Sequence, residues 1–284
     1  MFKLGVITDE VSQDINVAAD FAVNYGLKCL EIRSVNGRAL FDLTDEDYKE
    51  IKQAADSRGL EIIALSSAVF KCDINDKETV KEHIEGFERL AVRANQLGCK
   101  FIRAFDFWES GASLKKRAEC FKPIIDICEK YDIICAVEFD PSVHSCLPQS
   151  LLEFINTVNS PYVKLLFDPG NAIFVDENAV PYPTDYSLVK DSLCHIHIKD
   201  ADMVNGKIDA VKVGAGRVDY KGFFAALLNS GYNGAVMLET HYRKAASLTE
   251  EQLKLPGGNG FSEGAYPASC ESIEAIIDTI NSVK

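Results

Sequence analysis

No CxxC pair occurs in this chain of 284 residues, although it holds nine cysteines. That absence argues against a thiolate zinc site or a dithiol redox pair. The cysteines are odd in number and irregularly spaced, and several (Cys29, Cys99, Cys135, Cys194) fall inside apolar runs. They read as reduced thiols used as small core residues in a cytoplasm. No apolar stretch is long enough to span a bilayer. The opening Met-Phe-Lys-Leu-Gly-Val-Ile-Thr reads as a short strand rather than a signal peptide. Positive charge is scarce too. Thirty Lys and Arg face 43 Asp and Glu, for a net charge of −13. Bulk electrostatics therefore oppose binding to nucleic acid or an anionic membrane. No Pro-, Gly- or Ser-rich linker interrupts the chain, so residues 1–284 are expected to form one domain.

What the chain does contain is a 47% hydrophobic content, enough for a sizeable core. Short apolar runs alternate with longer amphipathic stretches, the pattern of repeated strand–helix units. Strands are expected near Lys3–Thr8, Lys28–Arg33, Leu60–Ser66 and Lys100–Phe105, with four more further on. Thr44 and Asp47 form a variant capping box at the start of a helix. A long helix is expected over 76–97, and another over about 112–131 with Pro123 as an internal irregularity. Eight strands and eight helices in roughly this length fit an α/β fold of the (β/α)8 TIM-barrel type. Two long connections, 200–219 and 241–267, fall on one face of such a barrel, and loops of that length are commonly binding loops or lids.

The last four apolar runs carry the chemistry. They read Ile-Cys-Ala-Val-Glu138, Val-Lys-Leu-Leu-Phe-Asp168, Cys-His-Ile-His197 and Ala-Val-Met-Leu-Glu239. Each ends in a group able to hold a metal. The spacings of 30, 29 and 42 residues are close to one strand–helix unit apiece. In a parallel barrel these groups converge at the C-terminal mouth. Three carboxylates and one imidazole suit Mn²⁺, Mg²⁺ or Co²⁺ better than a cysteine-ligated structural zinc. His195 lies two residues before His197 and faces the same side of the strand. His197 is nearer the mouth and is favoured as the ligand, leaving His195 a layer deeper as a supporting donor or a core histidine. Asp168 precedes Pro-Gly, so it could instead bond its own turn.

Glu138, Phe-Asp168-Pro-Gly-Asn, His195-Ile-His197-Ile-Lys-Asp and Leu-Glu239-Thr-His, with the opening Gly-Val-Ile-Thr-Asp-Glu-Val-Ser-Gln-Asp, resemble the xylose-isomerase-like barrel superfamily. That superfamily includes sugar phosphate isomerases and epimerases, ketose 3-epimerases and endonuclease IV-like barrels. The resemblance covers nearly the whole chain and is weakly specific for substrate. It implies one divalent ion, Mn²⁺ first and Mg²⁺, Co²⁺ or Zn²⁺ as alternatives, held by Glu138, Asp168, His197 and Glu239. It also implies that Glu138 and Glu239 move a proton beside a polarised carbonyl, through an enediolate. The expected partner is a small sugar or sugar phosphate, and related proteins are often homodimers or homotetramers.

Further candidates surround this set. His144 stands where related epimerases place a substrate-contacting carboxylate, and Asn171 where they have a histidine. The arginine those enzymes carry beyond strand seven is absent; Met203 occupies the matching position. Lys199 could contact a substrate oxyanion, or pair with Asp200 or another carboxylate. Arg33, Arg103 and Arg217 could hold a phosphate or carboxylate, or form salt bridges at the mouth. Trp108, the single tryptophan, could stack on a sugar or pack beneath a lid. His241, two past Glu239, is expected on the site-facing side, and His83 on the surface. Gly214-Ala-Gly216 lacks the strand-then-helix context of a nucleotide loop and reads as backbone flexibility.

The sequence thus leads to a metal-dependent sugar isomerase or epimerase. A lyase acting on a keto-inositol or sugar acid by the same enolisation is the alternative. An abasic-site endonuclease is disfavoured by five histidines and the acidic charge. A non-catalytic sugar-binding barrel would not need the ligand quartet.

Overall fold

The computed structural model describes residues 1–284. Eight parallel strands close on themselves: β1 (Lys3–Ile7), β2 (Cys29–Ile32), β3 (Glu61–Val69), β4 (Phe101–Ala104), β5 (Ile134–Glu138), β6 (Val163–Phe167), β7 (Leu193–Ile198) and β8 (Ala235–Leu238). Each strand pairs with its neighbours in sequence, and β1 closes the ring by lying between β2 and β8. This is the (β/α)8 barrel expected from the alternation. All strands point the same way, so every strand end named above opens on one mouth.

Helices cover the outside: α1 (Ile15–Asn24), α2 (Asp45–Asp56), α3 (Lys77–Leu97), α4 (Leu114–Glu119), α5 (Lys122–Tyr131), α6 (Pro148–Val158), α7 (Pro169–Val175), α8 (Tyr186–Val189), α9 (Tyr220–Asn229), α10 (Glu250–Lys254), α11 (Asn259–Ser262) and α12 (Ala265–Ser282). The main core lies between strands and helices, where Phe21, Phe87, Phe121, Phe154, Phe223 and Phe224 are fully buried. Inside the barrel a small layer of Ile7, Cys29, Ala235 and Met237 forms an apolar floor. No helix is long and apolar enough to cross a membrane.

Local chemistry explains most boundaries. Thr44 Oγ1 accepts the Asp47 N–H while the Asp47 carboxylate accepts the Thr44 N–H, so the expected capping box starts α2. Asp76 caps α3, and Gly98 ends it in the left-handed region at φ 79°. Pro123 corrects one expectation. The single helix of 112–131 is two, because proline is favoured in a first turn and begins α5. Strand β3 runs three residues beyond its expected end, and α8 is only a single turn. His83 is half-buried rather than on the surface; its Nδ1 accepts the Phe70 N–H at 2.8 Å.

Both long connections are ordered. Residues 200–219 begin with an antiparallel hairpin, Asp200–Val204 against Lys207–Val211. Residues 241–264 hold α10 and α11 and are tied across the mouth. Lys71 Nζ donates to the Lys254 carbonyl (2.9 Å), Gln13 Nε2 to the Gly258 carbonyl (3.1 Å), and Ser262 Oγ to the Asp9 carbonyl (2.7 Å).

Candidate metal centre at the barrel mouth

One ligand atom each from Glu138, Asp168, His197 and Glu239 lies within 4.8 Å of the others, and all four residues are buried. Glu138 ends β5; Asp168 and Glu239 follow β6 and β8 directly, and His197 is the penultimate residue of β7. Asp168 serves two purposes. Its Oδ1 accepts the Gly170 N–H at 2.9 Å and so caps α7, while its buried Oδ2 accepts no well-formed hydrogen bond and faces the Lys199 ammonium at 3.1 Å. The turn reading and the ligand reading are therefore compatible.

His197 is oriented from behind. Its Nε2 lies 3.0 and 3.1 Å from the Glu31 oxygens and donates to them. When the imidazole is neutral, that leaves Nδ1 as the lone-pair nitrogen, 3.4 Å from Glu138 Oε1 and 3.3 Å from Glu239 Oε2, with no hydrogen-bond partner. A carboxylate fixing the far nitrogen of an imidazole is the usual support for a metal-binding histidine. His195 Nε2 meets the same Glu31 at 2.7 Å, and its ring stacks on Phe101. It does not reach the quartet.

Cations brace the carboxylates. Arg33 contacts Glu239 at 2.5 Å, and also Asp9 and Glu10, both at 2.8 Å. Arg103 contacts Glu138 at 2.9 Å and Glu239 at 3.4 Å. Lys199 Nζ lies 3.1 Å from both Asp168 and Glu239, not beside Asp200. Asn171 Nδ2 donates to Glu138 Oε1 at 3.2 Å and to the Phe139 carbonyl at 2.8 Å. His241 Nε2 lies 3.4 Å from Glu10 and 3.5 Å from Glu239.

This buried network carries six carboxylates (Asp9, Glu10, Glu31, Glu138, Asp168, Glu239) against four permanent cations (Arg33, Arg103, Lys199, Arg243). With neutral imidazoles it is two positive charges short. The titrations reflect this. Burial pushes the Asp168 carboxyl up to about 7, and the nearby Glu239 and Glu138 add to the effect against Lys199. Burial alone would lower His197, but Glu31, Glu239 and Glu138 hold it well above the ordinary imidazole range. Burial opposes ionisation of Glu138 as well; Arg103 and His197 outweigh it and keep that carboxyl below the usual range. An Asp168 oxygen that accepts no hydrogen bond and faces only the Lys199 ammonium, a His197 Nδ1 with no hydrogen bond, and an excess of two carboxylates over the fixed cations together fit a divalent cation held by the quartet.

Beside the quartet lies a cavity of about 260 Å³, lined by Asp140, Ser142, Asn171, Lys199, His241 and Leu253 among others. Most of the residues that line it are polar or charged, although the surface they present is largely their carbon stems. A larger open groove of about 670 Å³ between α2 and α3 touches none of these residues.

The remaining candidates lie elsewhere. His144 is engaged by Glu109 (2.9 Å) and by the Ser110 N–H (3.2 Å), away from the quartet. Arg217 pairs with Asp202 and donates to the Glu177 carbonyl. Trp108 packs under the 241–264 connection, a strap across the mouth, with Lys254 Nζ 4.0 Å above its ring. Arg33 and Arg103 form the mouth salt bridges that their positions allowed. Three buried carboxylates of this network escaped the sequence reading: Glu31, Asp9 and Glu10. Glu31 carried a usable signal, as the only charge inside the run Cys-Leu-Glu-Ile, where burying it unpaired would be costly. Its inward turn coincides with a register shift between Leu30 and Glu31.

The xylose isomerase-like TIM barrel family matches over residues 19–265, and the chain belongs to that family. Among curated proteins it is 22% identical over 251 residues to an inosose isomerase of Bacillus velezensis, covering 85% of this chain and 87% of the relative. It is 25% identical over 225 residues to an uncharacterized protein of Methanocaldococcus jannaschii, covering 77% and 74%. Among solved structures, a zinc-bound IolI protein superimposes with a TM-score of 0.72 at 20% identity, covering 100% and 99%. A D-allulose 3-epimerase from Methylomonas in complex with D-allulose gives 0.73 at 17% identity, covering 98% and 97%.

Proposed function

We propose that the chain is a divalent-metal-dependent isomerase or epimerase acting on a ketose, its phosphate or a related polyol ketone. The observation that carries this reading is the convergence of Glu138, Asp168, His197 and Glu239 on one buried point beside a polar cavity. The relatives support it. One is named an inosose isomerase and one a D-allulose 3-epimerase, and both names describe moving a proton next to a ketone. Mn²⁺ is the first choice of ion for a mostly oxygen donor set, with Mg²⁺, Co²⁺ and Zn²⁺ as alternatives.

Bound by the quartet, the ion would supply a Lewis acid that polarises the substrate carbonyl. The chain's own groups do the rest. One of Glu138 and Glu239 takes the proton from the carbon beside the carbonyl. The other delivers a proton to the opposite face, which inverts that carbon; delivery to the neighbouring carbon would give isomerisation instead. Lys199 and Asn171 line the cavity and hold the two carboxylates in place. Lys199 is also placed to meet negative charge on a substrate oxygen. His241 closes the side nearest the strap. His144, Arg217 and Trp108 are occupied elsewhere and have no part in this scheme.

Metal analysis by inductively coupled plasma mass spectrometry on wild type and His197→Ala is the direct test. About one divalent ion per chain in the wild type and little in the variant is expected. Glu138→Gln and Glu239→Gln should each lower kcat by roughly 10²–10⁴-fold on any ketose that is turned over. Full activity in both would overturn the proton-transfer roles.

A further inference from the structure

Among (β/α)8 barrels at large, a phosphate site is frequently built from the loops after strands seven and eight, where backbone N–H groups converge. After β7 such a convergence exists. The N–H groups of Ala201, Gly214, Gly216 and Val218 all point to one place. The acceptor there is the chain's own Asp200, which is fully buried. Oδ1 takes Ala201 at 3.0 Å and Val218 at 3.2 Å; Oδ2 takes Gly214 at 2.9 Å and Gly216 at 3.0 Å.

The loop is shaped around this carboxylate. A Cβ on Gly216 would lie 2.2 Å from Asp200 Oδ1, and Gly214 has φ +84°. The pair of glycines is therefore a fitted anion cradle rather than a flexible stretch. After β8 two backbone donors are likewise taken. The Gly258 N–H goes to Ser34 Oγ at 3.0 Å and the His241 N–H to Glu10 at 3.3 Å. Arg243 is held by Glu10 and by the Tyr242 and Phe261 carbonyls.

We propose that Asp200 is a built-in anion that occupies the phosphate cradle of the barrel, so that the substrate is an unphosphorylated polyol ketone. The word ketone rests on the function proposed above; the filled cradle does not. The mouth supports the same conclusion. Two added positive charges would leave its buried network neutral, and Arg33, Arg103 and Lys199 already face carboxylates. A phosphate brought among those groups would compete with carboxylates already held by Arg33, Arg103 and Lys199; the lysine at the cavity with no carboxylate partner is Lys254, over the Trp108 ring.

The test uses the full chain as purified and two probes. Inorganic phosphate is titrated into wild type, Asp200→Ala and Asp200→Asn, with binding read by calorimetry and by the thermal midpoint against sodium chloride of equal ionic strength. Wild type should show no saturable response. Asp200→Ala should melt lower and recover with phosphate, binding it at least about tenfold more tightly than wild type. Saturable phosphate binding by wild type, or a folded Asp200→Ala that ignores phosphate, overturns the proposal. If the alanine variant does not fold, the wild-type titration and the isosteric Asp200→Asn still decide. Separately, free ketohexoses and inososes are compared with ketohexose 1- and 6-phosphates on the metal-loaded wild type. Higher kcat/KM for a phosphate would refute the inference while leaving the proton-transfer reading intact. Turnover of no ketone at all would refute that reading, and the phosphate titration would still decide the cradle.

Discussion

Glu31 shows what a single residue contributes at this mouth. It touches neither the cavity nor the other ligands directly, yet it sets which nitrogen of His197 faces them. Glu31→Gln should keep the fold and lower metal affinity by roughly 10–100-fold. Competition with a fluorescent chelator measures this, and an unchanged affinity would show that His197 needs no such support. Gly170 is a second case. A Cβ there would lie 2.3 Å from Lys199 Cγ and 2.6 Å from the Lys199 carbonyl, so glycine lets α7 start against that lysine. Gly170→Ala should cost about 1–3 kcal/mol and displace the ammonium from Asp168 and Glu239. The check is urea unfolding together with kcat. Glu138, Asp168, His197 and Glu239 were legible because each ends, or immediately follows, an apolar run. Glu31 was not, because it sits inside its run and only the barrel's curvature brings it across to β7.

Among the elements, α2 and the strap illustrate two kinds of stabilisation. Burial works against ionisation of Asp47, but hydrogen bonds from Thr44 Oγ1, Arg38, Asn36 and the Thr44 N–H win and hold its carboxyl below the usual range. A carboxyl lowered by folding stabilises the protein above its unfolded pKa of about 4, and that contribution is lost as pH falls through the folded value. Asp47→Asn should therefore cost about 1 kcal/mol at pH 7 and progressively less below pH about 4. Denaturant midpoints at the two pH values measure the difference. The strap depends on Lys71, a buried ammonium that meets Asp140 at 2.8 Å and the Lys254 carbonyl at the end of α10. Lys71→Met removes both bonds. Faster amide exchange over 249–255 and a higher KM with a smaller change in kcat are expected. Unchanged exchange would mean that the strap is held by its other ties. The capping box could be read from two residues. The strap could not, because its partners lie about 180 or more residues away in sequence.

For the whole molecule, the closed ring of parallel strands converts four separated runs into one site, at the cost of collecting like charges. If the proposed ion fills the network's deficit of two positive charges, global stability follows its binding. Removing the metal with a chelator should lower the thermal midpoint, and adding Mn²⁺ should restore it; saturation at about a hundred times Kd corresponds to roughly 2.7 kcal/mol. Differential scanning calorimetry checks this, and a midpoint indifferent to metal would place the compensation elsewhere, on protonated histidines. By itself the sequence determined the repeated strand–helix units, the single barrel, the residues that end its strands and the caps of several helices. All of these follow from local periodicity, propensity and side-chain length, which act over a few residues. Tertiary structure alone decided that Glu31 would hold His197, that Arg33 and Arg103 would brace the two glutamates, and that Asp200 would turn into the glycine loop instead of pairing with Lys199. Those choices depend on closure of the ring and on burial. Together they force each charge to find its partner across strands distant in sequence.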